Sequence, residues 1–330
     1  MDQWLKDNLV CPRDHGRLEI SDNTLVCRNG HIYPYLDGIP VMLLEEVRPT
    51  HEVCCQTIDQ AASGGASEGA DKTGDGGGID PYVQRFVGAT CGIMYKDLIN
   101  SLTSYPIPEL RLQQARGEYL LDIGCNWGRW TISAARKGFK SVGIDPSLEA
   151  IRAARRVARQ LKVSPQYLVG DSRYLPFADN AFHVAFSYSV FQHFIKSDVK
   201  VSLAEVARVL KPSGTCLAQL PNRFGLRSLY HQLRLMFQKE EQLFGIHYWS
   251  PSELKGAFGD IIGPTSLSVD GFFSLNAQKT DAYLLPRRYR MVVSLSEALR
   301  KFSEKAVWMI YFADSLYVTS TSGKPAGEKV

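Results

Sequence analysis

"LLDIGCNWGRW", residues 120–130, decides the fold. Three apolar residues and an acid lead into a turn broken by Gly124 and Gly128, and "RWTISAARKG" then follows with helical spacing until Gly138 stops it. A short strand that enters a glycine turn and then a helix lets backbone N–H groups and the helix N-terminus come close to a nucleotide-like ligand. The nature of that nucleotide is the question the rest of the chain has to answer.

Outward from this stretch the periodicities alternate. "KSVGID" has the pattern of a strand, and "SLEAIRAARRVARQLK" is amphipathic, with Ile151, Ala154, Ala158 and Leu161 on one face. Strands "QYLVGD" and "AFHVAFSYS" follow, then helix "VSLAEVARVLK", a "KPSG" turn and strand "TCLAQLP". Strands separated by helices of this length predict parallel pairing by right-handed crossovers, hence an α/β doubly wound sheet. Its ligand is expected across the C-terminal strand ends.

Three acids mark that edge: Asp122, Asp145 in "GIDPS" and Asp171 in "VGDSRYLPF". An acid some 20 residues beyond a glycine turn is placed to accept hydrogen bonds from ribose hydroxyls, and Asp145 stands there. The dinucleotide spacing G-x-G-x-x-G is missing, since Asn126 occupies the second glycine position. No Lys-Ser/Thr follows Gly128, so the Walker phosphate loop is missing too. A carboxylate beside the turn would repel phosphate and suits a ligand with local positive charge, such as an ammonium or a sulfonium.

These residues resemble the class I S-adenosylmethionine-dependent methyltransferases over about residues 115–222, through "LLDIGCNWGRW", "VGIDPS", "VGDSRYLPFADNAFHVAFSYSVFQHF" and "EVARVLKPSGTCLAQLPN". The resemblance implies a Rossmann-like seven-stranded sheet with S-adenosylmethionine as cofactor. Asp122 and the turn Gly124, Cys125, Asn126 and Gly128 would embrace the methionine portion, and Asp145 with Pro146 would hold the ribose. Asp171 with the Ser172 backbone would read the adenine, and Ser187 would line the site. Trp127 would either cover the cofactor or pack beneath the helix. The implied organisation is a helical approach segment over 79–116, a cofactor-binding core over 117–222 and an acceptor or lid region over 223–330.

The N-terminal segment, residues 1–48, poses a different problem. Cys11, Asp14, Cys27 and His31 follow the spacing Cys-x2-Asp-x12-Cys-x3-His, a zinc-ribbon layout with one thiolate replaced by a carboxylate. A segment this short needs a metal or a docking partner to hold its shape. It is similar to the small zinc-ribbon activator of tRNA and protein methyltransferases, whose ending is matched by "YPYLDGIPVML", and to the zinc end of a ribosomal guanine methyltransferase. The resemblance implies a structural zinc on Cys11, Asp14, Cys27 and His31, with His15 as a substitute for Asp14. The alternative is a ribbon held by its apolar residues alone.

Between the two lies "AASGGASEGADKTGDGGG", residues 61–78, too polar and glycine-rich to offset its ordering entropy by burial. A flexible linker over 49–78 joining two folded units is the expectation. The chain has 330 residues, with no secretory h-region and no apolar run able to span a membrane, which predicts a cytoplasmic protein. Seven cysteines, an odd number, do not form a disulfide framework, and Cys54-Cys55 lacks Cys-x-x-Cys spacing.

The charge balance bears on the acceptor. From Pro221 onward there are 14 Lys/Arg against 10 Asp/Glu, and before it 24 against 24, so the whole excess sits in the last third. The run Arg152, Arg155, Arg156 and Arg159 is expected to be the solvated face of a helix, and Arg287, Arg288 and Arg290 suffice to clamp one anionic group but are few for a nucleic acid. A hydroxyl acceptor must also lose its proton, for which His193 in "SVFQHF" and His247 in "FGIHYWSPSEL" are the candidate catalytic residues. The function expected is methyl transfer to a small-molecule, sugar or lipid-linked acceptor, on oxygen. The alternatives are an RNA methyltransferase using its ribbon for substrate, and a non-catalytic SAM-binding scaffold.

Overall fold

The computed structural model describes residues 1–47, 78–237, 245–273 and 277–325. The expected linker lies outside the described residues apart from Gly78, as do Cys54 and Cys55. The central strands are β5 (Tyr119–Ile123), β6 (Lys140–Asp145), β7 (Gln166–Gly170), β8 (Phe182–Tyr188), β9 (Leu210–Pro221), β10 (Thr265–Gly271) and β11 (Ser315–Thr321). They lie in the order β7-β6-β5-β8-β9-β11-β10. The first five are parallel, and β11 reverses direction between β9 and β10.

Helices α3 (Arg129–Arg136), α4 (Leu148–Gln160) and α5 (Lys196–Val209) connect parallel strands. The order reverses on leaving β5, where β6 lies on one side and β8 on the other. That switch point is where an α/β sheet opens a crevice at its C-terminal edge. Alternation along the strands sends Leu168 into one core and Tyr167 and Val169 into another, so both faces of the sheet are covered. The "KPSG" stretch is an irregular start of β9 rather than a turn before it, with Ser213 at φ 61°.

The N-terminal segment extends this sheet, which corrects the expectation of seven strands and of two separate units. Helix α1 (Gln3–Asn8) precedes a meander of β1 (Leu18–Ser21), β2 (Thr24–Cys27), β3 (Ile32–Leu36) and β4 (Ile39–Met42). β4 pairs in parallel with β7, Val41 opposite Val169 and Met42 opposite Gly170, so one sheet of 11 strands runs from β1 to β10. The reason is in "IPVM": all four residues are buried, and a strand apolar on both faces needs cover on both sides. Trp4 stacks on Tyr119 of β5 at 3.8 Å, and Leu5, Leu9, Leu25 and Tyr33 share the core of Leu168 and Phe177. Each fully buried apolar side chain of this size contributes about 1.5–3 kcal/mol, so the joint is not a loose contact.

Helix α2 (Pro81–Thr90) packs over the turn of the central motif, and helix α4 is pinned between α2 and the ribbon. Arg152 bonds the Asp37 carboxylate, Arg155 the Asp37 carbonyl, and Arg156 makes two bonds to buried Asp80, the N-cap of α2. Arg152, Arg155 and Arg156 therefore form a docking face and not the solvated stripe expected from their spacing, while Arg159 is exposed. The chain beyond β9 supplies α6 (Leu226–Phe237), α7 (Pro251–Ile261) and α8 (Arg287–Ser303).

Candidate active site

The turn after β5 has the backbone that its glycines require. Gly124 and Gly128 lie at φ 71° and 82°, and a Cβ on either would come within 2.3 Å of Val190 or 2.4 Å of the Tyr167 hydroxyl. Asn126 lies at φ 48°, in the left-handed region that asparagine tolerates better than other non-glycine residues. Its Oδ1 accepts from the Trp127 N–H at 2.9 Å, so the asparagine does by side-chain bonding what glycine does by lacking a side chain. Trp127 is fully buried, with Nε1 donating to Thr90 Oγ1 at 3.0 Å; it packs beneath α2.

Asp122, at the end of β5, accepts from Thr131 Oγ1 and is pushed up to about 7 by burial. Asp145, at the end of β6, accepts from the N–H groups of Asn126 and Ser147, both at 2.9 Å, and burial pushes it up to about 6. Pro146 separates Asp145 from the cap of α4. Asp171 follows β7, and its carboxylate accepts three hydrogen bonds from Arg173, at 2.7–3.0 Å, while Arg173 also reaches Asp198. Ser172 is bonded through its hydroxyl to Ser202 at 2.9 Å. The Asp171 carboxylate expected at the adenine thus already has a protein partner.

Two buried hydroxyls have no hydrogen-bond partner among the described residues: Ser187 Oγ, opposite Ile123 at the end of β8, and Tyr167 OH, in the core beside Gly128. An orphaned buried hydroxyl costs about 1–3 kcal/mol, a cost that a ligand can remove. With the left-handed turn and the two buried carboxylates Asp122 and Asp145, the Ser187 hydroxyl fits a nucleoside with a cationic group.

The two candidate histidines come from distant segments that meet here. His193 ends the short 3₁₀ turn Phe191–His193 after β8, and the His247 N–H donates to the Gln192 carbonyl at 2.8 Å. A polar chain that sequence reasoning missed runs along the same edge. Ser189 donates to Gln219, Gln219 to Ser315, and Ser315 and Tyr188 both to Asp270, at 2.6–2.9 Å, while Arg111 pairs with Asp270 at 3.0 Å. Asp270 is one more acid at a strand end, in "TSLSVDG", and that was its only signal. Being fully bonded, it ties the ends of β8, β10 and β11 together.

Residues 121–218 match the family described as a methyltransferase domain. The matched stretch runs from β5 to β9, the part that carries the turn and the acids. The chain is 35% identical over 101 residues to a malonyl-[acyl-carrier protein] O-methyltransferase of Serratia marcescens, covering 31% of this chain and 37% of that protein. It is 28% identical over 156 residues to a ubiquinone biosynthesis O-methyltransferase of Azorhizobium caulinodans, covering 45% and 59%. The chain therefore spans less than two thirds of either relative. Among solved structures, a SAM-dependent methyltransferase of Methanosarcina mazei superposes with a TM-score of 0.47 at 20% identity, over 67% of this chain and 99% of that one.

Away from the matched stretch, Cys11, Asp14, Cys27 and His31 converge, with their ligand atoms all within 4.8 Å of one another. His31 Nδ1 lies 3.4 Å from Cys11 Sγ, 3.3 Å from Cys27 Sγ and 3.1 Å from Asp14 Oδ2, and Cys27 Sγ lies 3.7 Å from Asp14 Oδ2. Tetrahedral zinc with these donor types sets its ligand atoms about 3.3–3.8 Å apart, so the cluster fits the ion. The Gly16 N–H and the Asn29 amide hold the Asp14 carboxyl well below its usual range, and Tyr33 OH lies 3.2 Å from Cys11 Sγ. His15 is not among the four.

Proposed function

We propose that the chain is an S-adenosylmethionine-dependent methyltransferase acting on an oxygen of a small, sugar or lipid-linked acceptor. The observation that carries this reading is the left-handed turn Gly124–Gly128 set between Asp122 and Asp145, with the unbonded Ser187 hydroxyl opposite, inside the matched domain. The O-methyltransferase names of the two relatives favour oxygen as the accepting atom.

When bound, S-adenosylmethionine supplies a methyl group already activated by its sulfonium. Asp122 and the turn hold the methionine end, Asp145 accepts from the ribose hydroxyls, and Ser187 donates to or accepts from the ligand. Asp171 and Ser172 border the adenine. The chain's task is to align the acceptor oxygen with the methyl carbon and to exclude water. The role left for His247 or His193 would be to accept the proton that the acceptor hydroxyl gives up as it takes the methyl group. A zinc ion on Cys11, Asp14, Cys27 and His31 would cross-link the ribbon and take no part in the transfer.

The test is methyl transfer from labelled cofactor to total RNA and, separately, to a small-molecule and glycolipid extract. Label in the organic extract, reduced at least about tenfold by His247→Ala or His193→Ala, is the expected result. Label confined to RNA, falling steeply with salt, would overturn the acceptor assignment.

A further inference from the structure

Helix α6 is built inside out. Leu226, Leu229, Tyr230 and Leu233, at positions i, i+3, i+4 and i+7, form one apolar face, and each is between 42% and 66% exposed. The polar side faces the protein: Ser228 is buried, His231 bonds the Tyr248 hydroxyl at 2.9 Å, and Gln232 donates to the Arg223 carbonyl at 2.8 Å. This orientation is fixed, because Asp314 accepts from the N–H groups of both Arg227 and Ser228 at the helix start.

A second apolar patch adjoins the first. The Asn222 amide, just before α6, donates to the carbonyls of Ile310 and Ala313, which holds the 3₁₀ turn Val307–Tyr311 against the base of the helix. From that turn Val307, Trp308, Tyr311 and Phe312 are exposed, with Trp308 and Phe312 edge to face at 5.8 Å. Packing thus leaves aromatic rings at the surface where burial would have stabilised them.

We propose that this face docks on an anionic lipid bilayer, with α6 lying in the interface. Charge selects that occupant over another protein surface. Helix α6 contains Arg227 and Arg234 and no acid, each arginine one residue beyond an apolar one and so on the same flank of the stripe. All the excess positive charge of the chain lies from Pro221 onward. An apolar stripe that includes Tyr230, with arginines along one flank and Trp308 in the patch beside it, is the composition that seats a helix at the headgroup level. No helix among the described residues is long and apolar enough to cross a membrane, so the contact would lie on the surface. The helix adjoins the candidate site, since His231 on its inner side bonds the Tyr248 hydroxyl, next to His247.

Vesicle binding tests this independently of methyl transfer. The full chain is sedimented with vesicles of phosphatidylcholine alone or mixed with phosphatidylglycerol, beside a Leu229→Asp/Leu233→Asp variant and a separate Trp308→Ser variant. Both variants change exposed side chains, and an unchanged circular dichroism spectrum serves as the folding check. The wild type is expected to sediment with the anionic vesicles, more weakly at high salt, and the double variant to lose roughly a hundredfold in partitioning. Wild-type protein that stays in the supernatant, or variants that bind like wild type, would overturn the proposal. So would a stable dimer of the wild type that the Leu229→Asp/Leu233→Asp pair dissociates, which would assign the face to a second copy.

Discussion

At the scale of single residues, the carboxylates Asp122 and Asp145 carry the strongest physical signature. Burial pushes them up to about 7 and about 6, so in the ligand-free fold both take up protons near neutrality. An acid whose folded pKa is raised contributes most to stability below its unfolded value near 4, and that contribution is lost as pH rises through the folded values. The ligand-free protein is therefore expected to melt at a higher temperature at pH 5 than at pH 8, with the difference reduced in Asp122→Asn. A cationic ligand favours the ionised acids, so cofactor affinity should fall as pH drops below about 6 and binding there should release protons. Calorimetry in buffers of different ionisation enthalpy measures that release; none at pH 6 would contradict the burial account. The strand ends were legible from the acids' spacing. That Arg173 would engage Asp171 was not, because a charge partner two residues away shows no periodicity.

At the scale of elements, the four ribbon residues were visible in their spacing, including the carboxylate in a cysteine's place. The Asn29 and Gly16 donors that hold Asp14 ionised were not, since they come from turns whose geometry appears only on folding. The ribbon reaches the loop after β7 directly: the Val10 N–H donates to the Pro176 carbonyl at 3.0 Å, and the Ala178 N–H to the Asn8 carbonyl at 2.8 Å. Cys27→Ser is thus expected to release about one zinc per chain and also to weaken cofactor binding, by roughly tenfold, through the loop after β7. Elemental analysis with a parallel binding titration reads both. Wild-type protein without zinc that still resists protease over residues 1–47 would show that packing alone holds the ribbon.

For the whole molecule, the doubly wound core was legible because alternating periods and strand-end acids are local features. Its continuation through β4 was not, because "IPVM" is a fully apolar run whose partner, β7, lies more than a hundred residues further along the chain. The same limit hid the docking role of Arg152, Arg155 and Arg156, which have the spacing of a solvated face until Asp37 and Asp80 are brought against them. Likewise the apolar face of α6 has the pattern of a core helix, and only the fold shows it pointing outward.

The central claim is that the C-terminal edge of β5, β6 and β7 binds S-adenosylmethionine, and isothermal calorimetry tests it most directly. The wild type should bind S-adenosylmethionine and its demethylated product with micromolar affinity. Asp145→Ala should lose both ribose contacts, about 2–4 kcal/mol or some thirty- to thousandfold in affinity. Undiminished binding by Asp145→Ala, or tight binding of NAD by the wild type, would contradict the account.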